Sequence, residues 1–265
     1  MFPVLLRIGP LTIHTYGLMM AIGVAVALWF LYRQSTRQGL EAGRIVDAGF
    51  YTILISLLGA KLVLFVGNFS YYTRYPGELL SLARSGGVFQ GGLVFGVLFA
   101  LWYFRRKQIP TWIVADIAAP ALALGHGFGR IGCFMAGCCY GRACEAAIGV
   151  KFSSTYAHSL TGVPLNEAIH PVQLYESALN FLNFFILFLI LRRKKFDGQV
   201  FSLYIINYSL IRYFTEFYRG DHPERAFLVR GPSPYLSFSY PQFFCVLGFA
   251  LGLALLAILR KKRSA

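Results

Sequence analysis

The sequence predicts an all-α, polytopic membrane protein, with seven transmembrane helices and a small cap on the outer face. Three observations predict it. Of 265 residues, 57% are hydrophobic and only 14% are charged, against about a quarter charged in a soluble domain. Apolar runs of roughly 20 residues, the length a helix needs to cross a bilayer, recur along the whole chain. The basic residues that give a net charge of +14 sit in short clusters between those runs. That distribution suits membrane topology and excludes nucleic-acid binding, which wants a basic face on one domain.

Taken in order, the spans are expected at approximately 15–32, 46–67, 88–104, 111–134, 171–191, 197–217 and 240–259. The opening MFPVLLRIGPLTIHTYG lacks a basic n-region followed by a small-residue cleavage site, so no cleavable signal peptide is expected. The loops after spans 1, 3 and 5 carry Arg33, Arg37 and Arg44, then Arg105, Arg106 and Lys107, then Arg192, Arg193, Lys194 and Lys195. The tail adds Arg260, Lys261, Lys262 and Arg263. The opposite side carries Arg7, Arg74, Arg84, Arg130, Arg142, Lys151, Arg219, Arg225 and Arg230 over much longer segments. Positive charge concentrates on the cytoplasmic side, so the N-terminus is expected outside and the C-terminus inside. The connections 68–87, 135–170 and 218–239 then face outward, and 135–170 alone is long and polar enough to form a cap. No internal repeat or flexible linker marks a second domain, so residues 1–265 read as one integral membrane domain.

Ionisable residues inside spans are costly and mark function by default. Here they are Lys61, Asp116, Glu176, Arg212 and Glu216, with His126 and Arg130 near the outer end of span 4. Arg212 and Glu216 stand four residues apart and share a helix face, as do His126 and Arg130. A structural ion pair and a packing histidine are the plain readings of those pairs, and helix capping or packing is that of Asp116. Glycine pairs at 86–87 and 91–92 open span 3, as a helix-contact surface or as free backbone donors for an anion. His14-Thr15-Tyr16-Gly17 opens span 1 at interfacial depth. His170-Pro171-Val172-Gln173-Leu174-Tyr175-Glu176 opens span 5, with proline suited to a first helical turn.

The stretch Gly125–Gly141, GHGFGRIGCFMAGCCYG, organises the rest. Its glycines let backbone or a head group approach closely, and Arg130 needs an anionic partner at the end of an apolar run, for which a lipid phosphate is suitable. Cys133, Cys138, Cys139 and Cys144 lack the C-x2-C spacing of a zinc site or of a thiol oxidoreductase, so no metal is expected. A disulfide on an oxidising face and buried free thiols both fit them. A nucleophilic cysteine would need a base nearby. A small transporter built on Lys61, Asp116 and Glu216 would show inverted repeats or broken helices, and neither is visible.

Together these landmarks resemble the prolipoprotein diacylglyceryl transferase family, from about residue 9 to the end. They are His14-Thr15-Tyr16-Gly17, Gly-Gly-x-x-x-Gly-Gly-Leu at 86–93, Asp116, Gly129-Arg130-Ile131-Gly132, Gly137, Gly141, the run from His170 to Glu176, and Arg212-x-x-x-Glu216-x-x-Arg219. The resemblance implies a multi-pass enzyme of the bacterial inner membrane that needs no cofactor. It would move the diacylglyceryl group of phosphatidylglycerol to the lipobox cysteine of a preprolipoprotein signal peptide, forming a thioether and releasing glycerol phosphate. Arg130 and Arg212 would then clamp the phosphate, Glu216 would orient Arg212, and Tyr16 would hydrogen-bond the head group. Gln90, Gly91, Gly92, Cys133, Gly141 and His170 would complete the substrate-binding surface. The sequence departs from the family's usual pattern at Gln90, where many members have histidine, and at Cys133 and Cys138, where asparagine and an acidic residue are usual. Glutamine cannot act as a base, so His126, one turn before Arg130, is the expected substitute. A divergent member acting on another lipid or thiol acceptor is the alternative.

Overall fold

A computed structural model of the protein describes residues 2–9, 11–84, 87–221, 227–229, 231, 233 and 237–264. Ser85 and Gly86 of the span 3 motif, and Arg225 and Arg230 of the outward-facing charges, lie outside them. Among the described residues, seven helices reach 18 residues or more: α1 Thr15–Arg37, α2 Ala42–Gly67, α5 Phe89–Arg106, α6 Thr111–Ala136, α8 Val172–Leu191, α9 Gln199–Glu216 and α10 Tyr240–Ser264. Each overlaps one expected span. Five of them, α1, α2, α6, α8 and α10, are long and apolar enough to cross a membrane on their own. The other two are the short ones. α5 ends on Arg105 and Arg106, and α9 carries Arg212 and Glu216 in its last turns. Charge lowers the apolar content of both, so the count of seven does not follow from apolarity alone.

The chain forms two compact units, Met1–Trp29 with Ala115–Ala265, and Phe30–Val114. In the second unit α2 and α5 pack along a seam of small residues. A Cβ on Gly91 would lie 2.8 Å from the Gly59 carbonyl oxygen and 2.6 Å from Val63, and one on Gly92 would lie 3.0 Å from the Ser56 carbonyl. These glycines let two helix backbones touch, which is how helices associate where no water drives them together. Short helices α3 Phe69–Arg74 and α4 Leu79–Arg84 belong to the same unit. There the Lys61 ammonium reaches the Leu82 carbonyl at 2.9 Å.

In the first unit α9 packs between α8 and α10. The start of α9 is fixed by Asp116 of α6, which is fully buried. Its Oδ2 accepts from the Gly198 N–H at 2.8 Å and its Oδ1 from the Phe201 N–H at 3.0 Å, while Lys194 pairs with Oδ2 at 3.0 Å. Asp116 is thus a capping residue, but of a neighbouring helix rather than its own.

Short strands interrupt the all-α expectation. β1 Val4–Ile8 pairs with β2 Leu11–His14, β3 Val150–Lys151 with β4 Ala168–Ile169, and β5 Phe227–Val229 with β6 Phe238–Ser239. The sequence between α6 and α8 also folds on a small core of its own. Phe152, Ala157, Val163 and Ile169 are buried there, with Phe134 and Tyr140 against them. Helix α7, Thr155–Thr161, starts on Ser154, whose hydroxyl accepts from the Ala157 N–H at 3.2 Å. It ends on Gly162, at φ +72°.

Candidate active site

The first unit brings ionisable groups of three helices, α6, α8 and α9, into one cluster. Glu176, in the second turn of α8, is its centre and is buried. Arg130 on α6 places Nε 2.8 Å from Glu176 Oε2, and Arg212 on α9 places Nε 3.9 Å from Glu176 Oε1. Arg212 also pairs through an Nη with Glu216 Oε2 at 2.5 Å, the i, i+4 pair expected from spacing. Glu216 is oriented in turn by the Ser239 hydroxyl, which donates to Oε1 at 2.9 Å, and Gln242 accepts from the Ser239 N–H at 2.9 Å. Two guanidiniums against two carboxylates leave the cluster near neutrality, which makes its burial tolerable.

The sequence paired Arg212 with Glu216 and singled out Glu176 as costly without giving it a partner. Joining Arg130 to Arg212 through Glu176 requires α6, α8 and α9 to meet, and no spacing within one helix reports that. The embedded carboxylate was the only available signal.

His126 lies one turn before Arg130, and its Nε2 accepts from Arg130 Nε at 3.2 Å. Its ring packs against Tyr208 at 5.2 Å between centroids. The imidazole lone pair that would take a proton from a thiol therefore already faces a guanidinium.

Where α6 ends, the chain turns sharply. The Gly137 N–H donates back to the Cys133 carbonyl at 3.0 Å and Gly137 takes φ +80°, a left-handed helix stop. Tyr16, at the start of α1, is half-exposed beside this turn and within electrostatic reach of Cys133, Cys138, Cys139 and Arg130. The Sγ atoms of Cys133, Cys138 and Cys139 converge within 4.8 Å of one another. Hydrogen bonds from Cys133 and Cys138, helped by the charges of Arg219 and Arg130, hold the Cys139 thiol well below the usual thiol range. Burial works against the Arg219 charge, but its bidentate pair with Asp221, at 2.9 and 2.5 Å, outweighs this and raises its pKa.

Gly141 and Gly220 mark a chain crossing. A Cβ on Gly141 would sit 2.2 Å from the His170 carbonyl oxygen, and one on Gly220 would sit 2.6 Å from the Gly141 carbonyl. Backbone bonds from Arg142 to Tyr218, Gly220 to Tyr140 and His170 to Arg142 lace the three segments together. His170 bonds the Tyr175 hydroxyl through Nδ1 at 3.2 Å and packs edge-on against Tyr218. Gly141 and His170, expected at the substrate surface, thus also hold this crossing together. Gln90, Gly91 and Gly92 open α5 in the second unit, where Gln90 is exposed and the two glycines form the seam with α2.

A family model described as prolipoprotein diacylglyceryl transferase matches residues 3–258. The chain is similar to proteins named phosphatidylglycerol–prolipoprotein diacylglyceryl transferase in several bacteria. That of Clostridium tetani is 35% identical over 221 residues, covering 83% of this chain and 86% of the relative. That of Geobacter sulfurreducens is 34% identical over 266 residues, covering 98% and 96%. That of Bacillus velezensis is 32% identical, covering 83% and 81%.

Proposed function

The chain belongs to the prolipoprotein diacylglyceryl transferase family, and from that premise we propose that it transfers the diacylglyceryl group of phosphatidylglycerol to the cysteine thiol of a prolipoprotein. The observation that carries this reading is the convergence of Arg130 and Arg212 on Glu176 in the membrane-embedded part of the first unit.

The chemistry needs such a pair. A thiolate attacks the glyceryl carbon, the carbon–oxygen bond to the phosphate breaks, and glycerol phosphate leaves with its charge raised from −1 to −2. Donors aimed at that phosphate bind the departing dianion more strongly than the entering diester, and only such a difference lowers the barrier. Arg130 meets both His126 and Glu176 through Nε, so its Nη groups form the fork offered to phosphate oxygens. Arg212 stands opposite, oriented by Glu216, and Tyr16 reaches the head group from the start of α1. His126 holds Arg130 in place.

The protein lies in the bacterial inner membrane with seven spans, α5 and α9 crossing despite their charged ends. Its N-terminus is outside, its C-terminus is cytoplasmic, and the module between α6 and α8 is an outer-face cap that meets the lipobox of the signal peptide.

The test is transfer of a labelled diacylglyceryl group from phosphatidylglycerol to a lipobox peptide. Wild type should form the thioether product. Arg212→Ala should lose about 10²–10³-fold in kcat/KM, as when one donor to a developing anion is removed. Absence of product from folded wild type would favour a divergent member using another lipid or acceptor.

A further inference from the structure

The spacing Cys133-x4-Cys138-Cys139 matches no C-x2-C pattern, yet the fold closes it. Cys133 is in the last turn of α6, and Cys138 and Cys139 follow the helix stop at Gly137. Cys139 takes φ +58°, a conformation uncommon for a residue with a side chain, which the surrounding structure must hold in place. The restraint is visible on both sides of it. The fully buried Gln173 donates through Nε2 to the Cys138 carbonyl at 2.8 Å, and the Gly220 N–H donates to the Tyr140 carbonyl at 3.0 Å. What this anchored loop achieves is three sulfurs within 4.8 Å of one another, all partly buried.

Zinc–thiolate bonds of about 2.3 Å place the sulfurs of a tetrahedral site about 3.8 Å apart, so closing the trio on an ion needs a shift of at most about 0.6 Å per sulfur. We infer that Cys133, Cys138 and Cys139 form a binding site for a thiophilic divalent cation, zinc by its chemistry, with a fourth position open to an incoming thiolate. Three sulfur donors select a soft or borderline ion over magnesium or calcium. Among the described residues three sulfurs gather and no fourth ligand atom joins them; three protein ligands with one vacant position is the count of catalytic zinc, whereas structural zinc is closed by four. A disulfide would use two of the sulfurs and leave the third idle. Three thiolates around Zn²⁺ carry −1 and a fourth thiolate brings −2, and the guanidiniums of Arg130 and Arg219 both act on these sulfurs to offset that charge.

The vacant position gives the site its purpose, and this step rests on the transferase reading. The acceptor cysteine binds the ion through sulfur and releases its proton to water, because a coordinated thiol is deprotonated outright. An ion held by Cys133, Cys138 and Cys139 would thus supply the acceptor as a thiolate, which attacks the glyceryl carbon. The sulfur–carbon bond forms, the carbon–oxygen bond breaks with its electron pair going to oxygen, and glycerol phosphate leaves as the dianion. The neutral thioether is a weak ligand and departs. The ion thus supplies the thiolate in a chain where Gln90 cannot act as base and the His126 lone pair is engaged.

The test uses the full chain in detergent under reducing conditions, titrated with Co²⁺ and then with Zn²⁺. One equivalent of Co²⁺ should give sulfur-to-cobalt charge-transfer absorption and the visible bands of a tetrahedral site, and Zn²⁺ should abolish both. Cys133→Ser, Cys138→Ser and Cys139→Ser should each weaken binding by at least tenfold, while Cys144→Ser and Cys245→Ser retain it. A lipobox peptide should then shift the cobalt spectrum, and the same peptide with serine for cysteine should not. Lack of the charge-transfer band, its survival in Cys139→Ser, or a disulfide among the three in the protein as isolated would overturn the site. A spectrum indifferent to the cysteine peptide would overturn the vacant position. Cobalt binding is read without turnover, so transfer activity in a chain that binds no metal defeats this inference alone, and metal binding without transfer defeats the transferase reading alone.

Discussion

At the scale of single residues, Glu176 decides more than its neighbours because two guanidiniums depend on it. Glu176→Gln keeps the shape and removes the charge, leaving Arg130 and Arg212 to repel each other in a buried site. Removing one partner of a buried pair costs about 3–5 kcal/mol, so the variant should unfold at clearly lower temperature in detergent, with activity falling as well. A melting temperature equal to wild type would show that the pair contributes little to stability. His126 is a different case. As a positioning residue its loss should raise KM for phosphatidylglycerol and leave the pH dependence of kcat unchanged. As a base its loss should flatten that profile. The pH–rate curve of His126→Ala separates the two roles. That His126 and Arg130 share a face was legible from their spacing of four, but not which ring atom faces the guanidinium, since that depends on side-chain rotation within the packed helix.

At the scale of elements, the connection from α8 to α9 is set by Asp116, Lys194 and the Gly198 N–H. Burial works against the Lys194 charge, but hydrogen bonds to Asp197 and Asp116 and their charges outweigh it, so its pKa lies above the ordinary 10.5. A raised lysine pKa means that folding favours the charged form. The stabilisation is complete below the unfolded value and is lost as pH rises through the folded one. Lys194→Met should therefore lower the melting temperature at neutral pH, and its difference from wild type should shrink in strongly alkaline solution. A difference that is constant with pH would assign the effect to packing instead. The sequence marked Asp116 as a capping or packing residue. Which helix it caps was hidden, because residue 116 and residues 198–201 meet only when α6 lies against the start of α9.

At the scale of the whole molecule, the proposed orientation rests on charge. Clusters at 33–44, 105–107, 192–195 and 260–263 sit on one side of the expected spans. Alkaline phosphatase, which is active only outside the cytoplasm, tests this directly. Fused after Glu145 it should be active, and fused after Lys195 or at the C-terminus it should be inactive. The reverse pattern would invert the proposed topology and place the cysteine trio in a reducing compartment. Five helices are apolar enough to cross unaided, while α5 and α9 carry charge at their ends. If both cross, as proposed, a span can carry functional ions where neighbouring helices neutralise them.

The sequence by itself determined the helices and their order, because apolar run length and the clustering of basic residues are local properties that bilayer physics reads directly. It also determined which residues to suspect, since a charge inside an apolar run is conspicuous wherever it pairs. The tertiary structure decided the partners: Glu176 between two arginines, Asp116 at the start of another helix, Gly91 and Gly92 in a helix seam, and three cysteines drawn together by a left-handed turn. Each of these joins segments far apart in the chain or depends on a backbone angle that residue type does not fix, and only packing settles either.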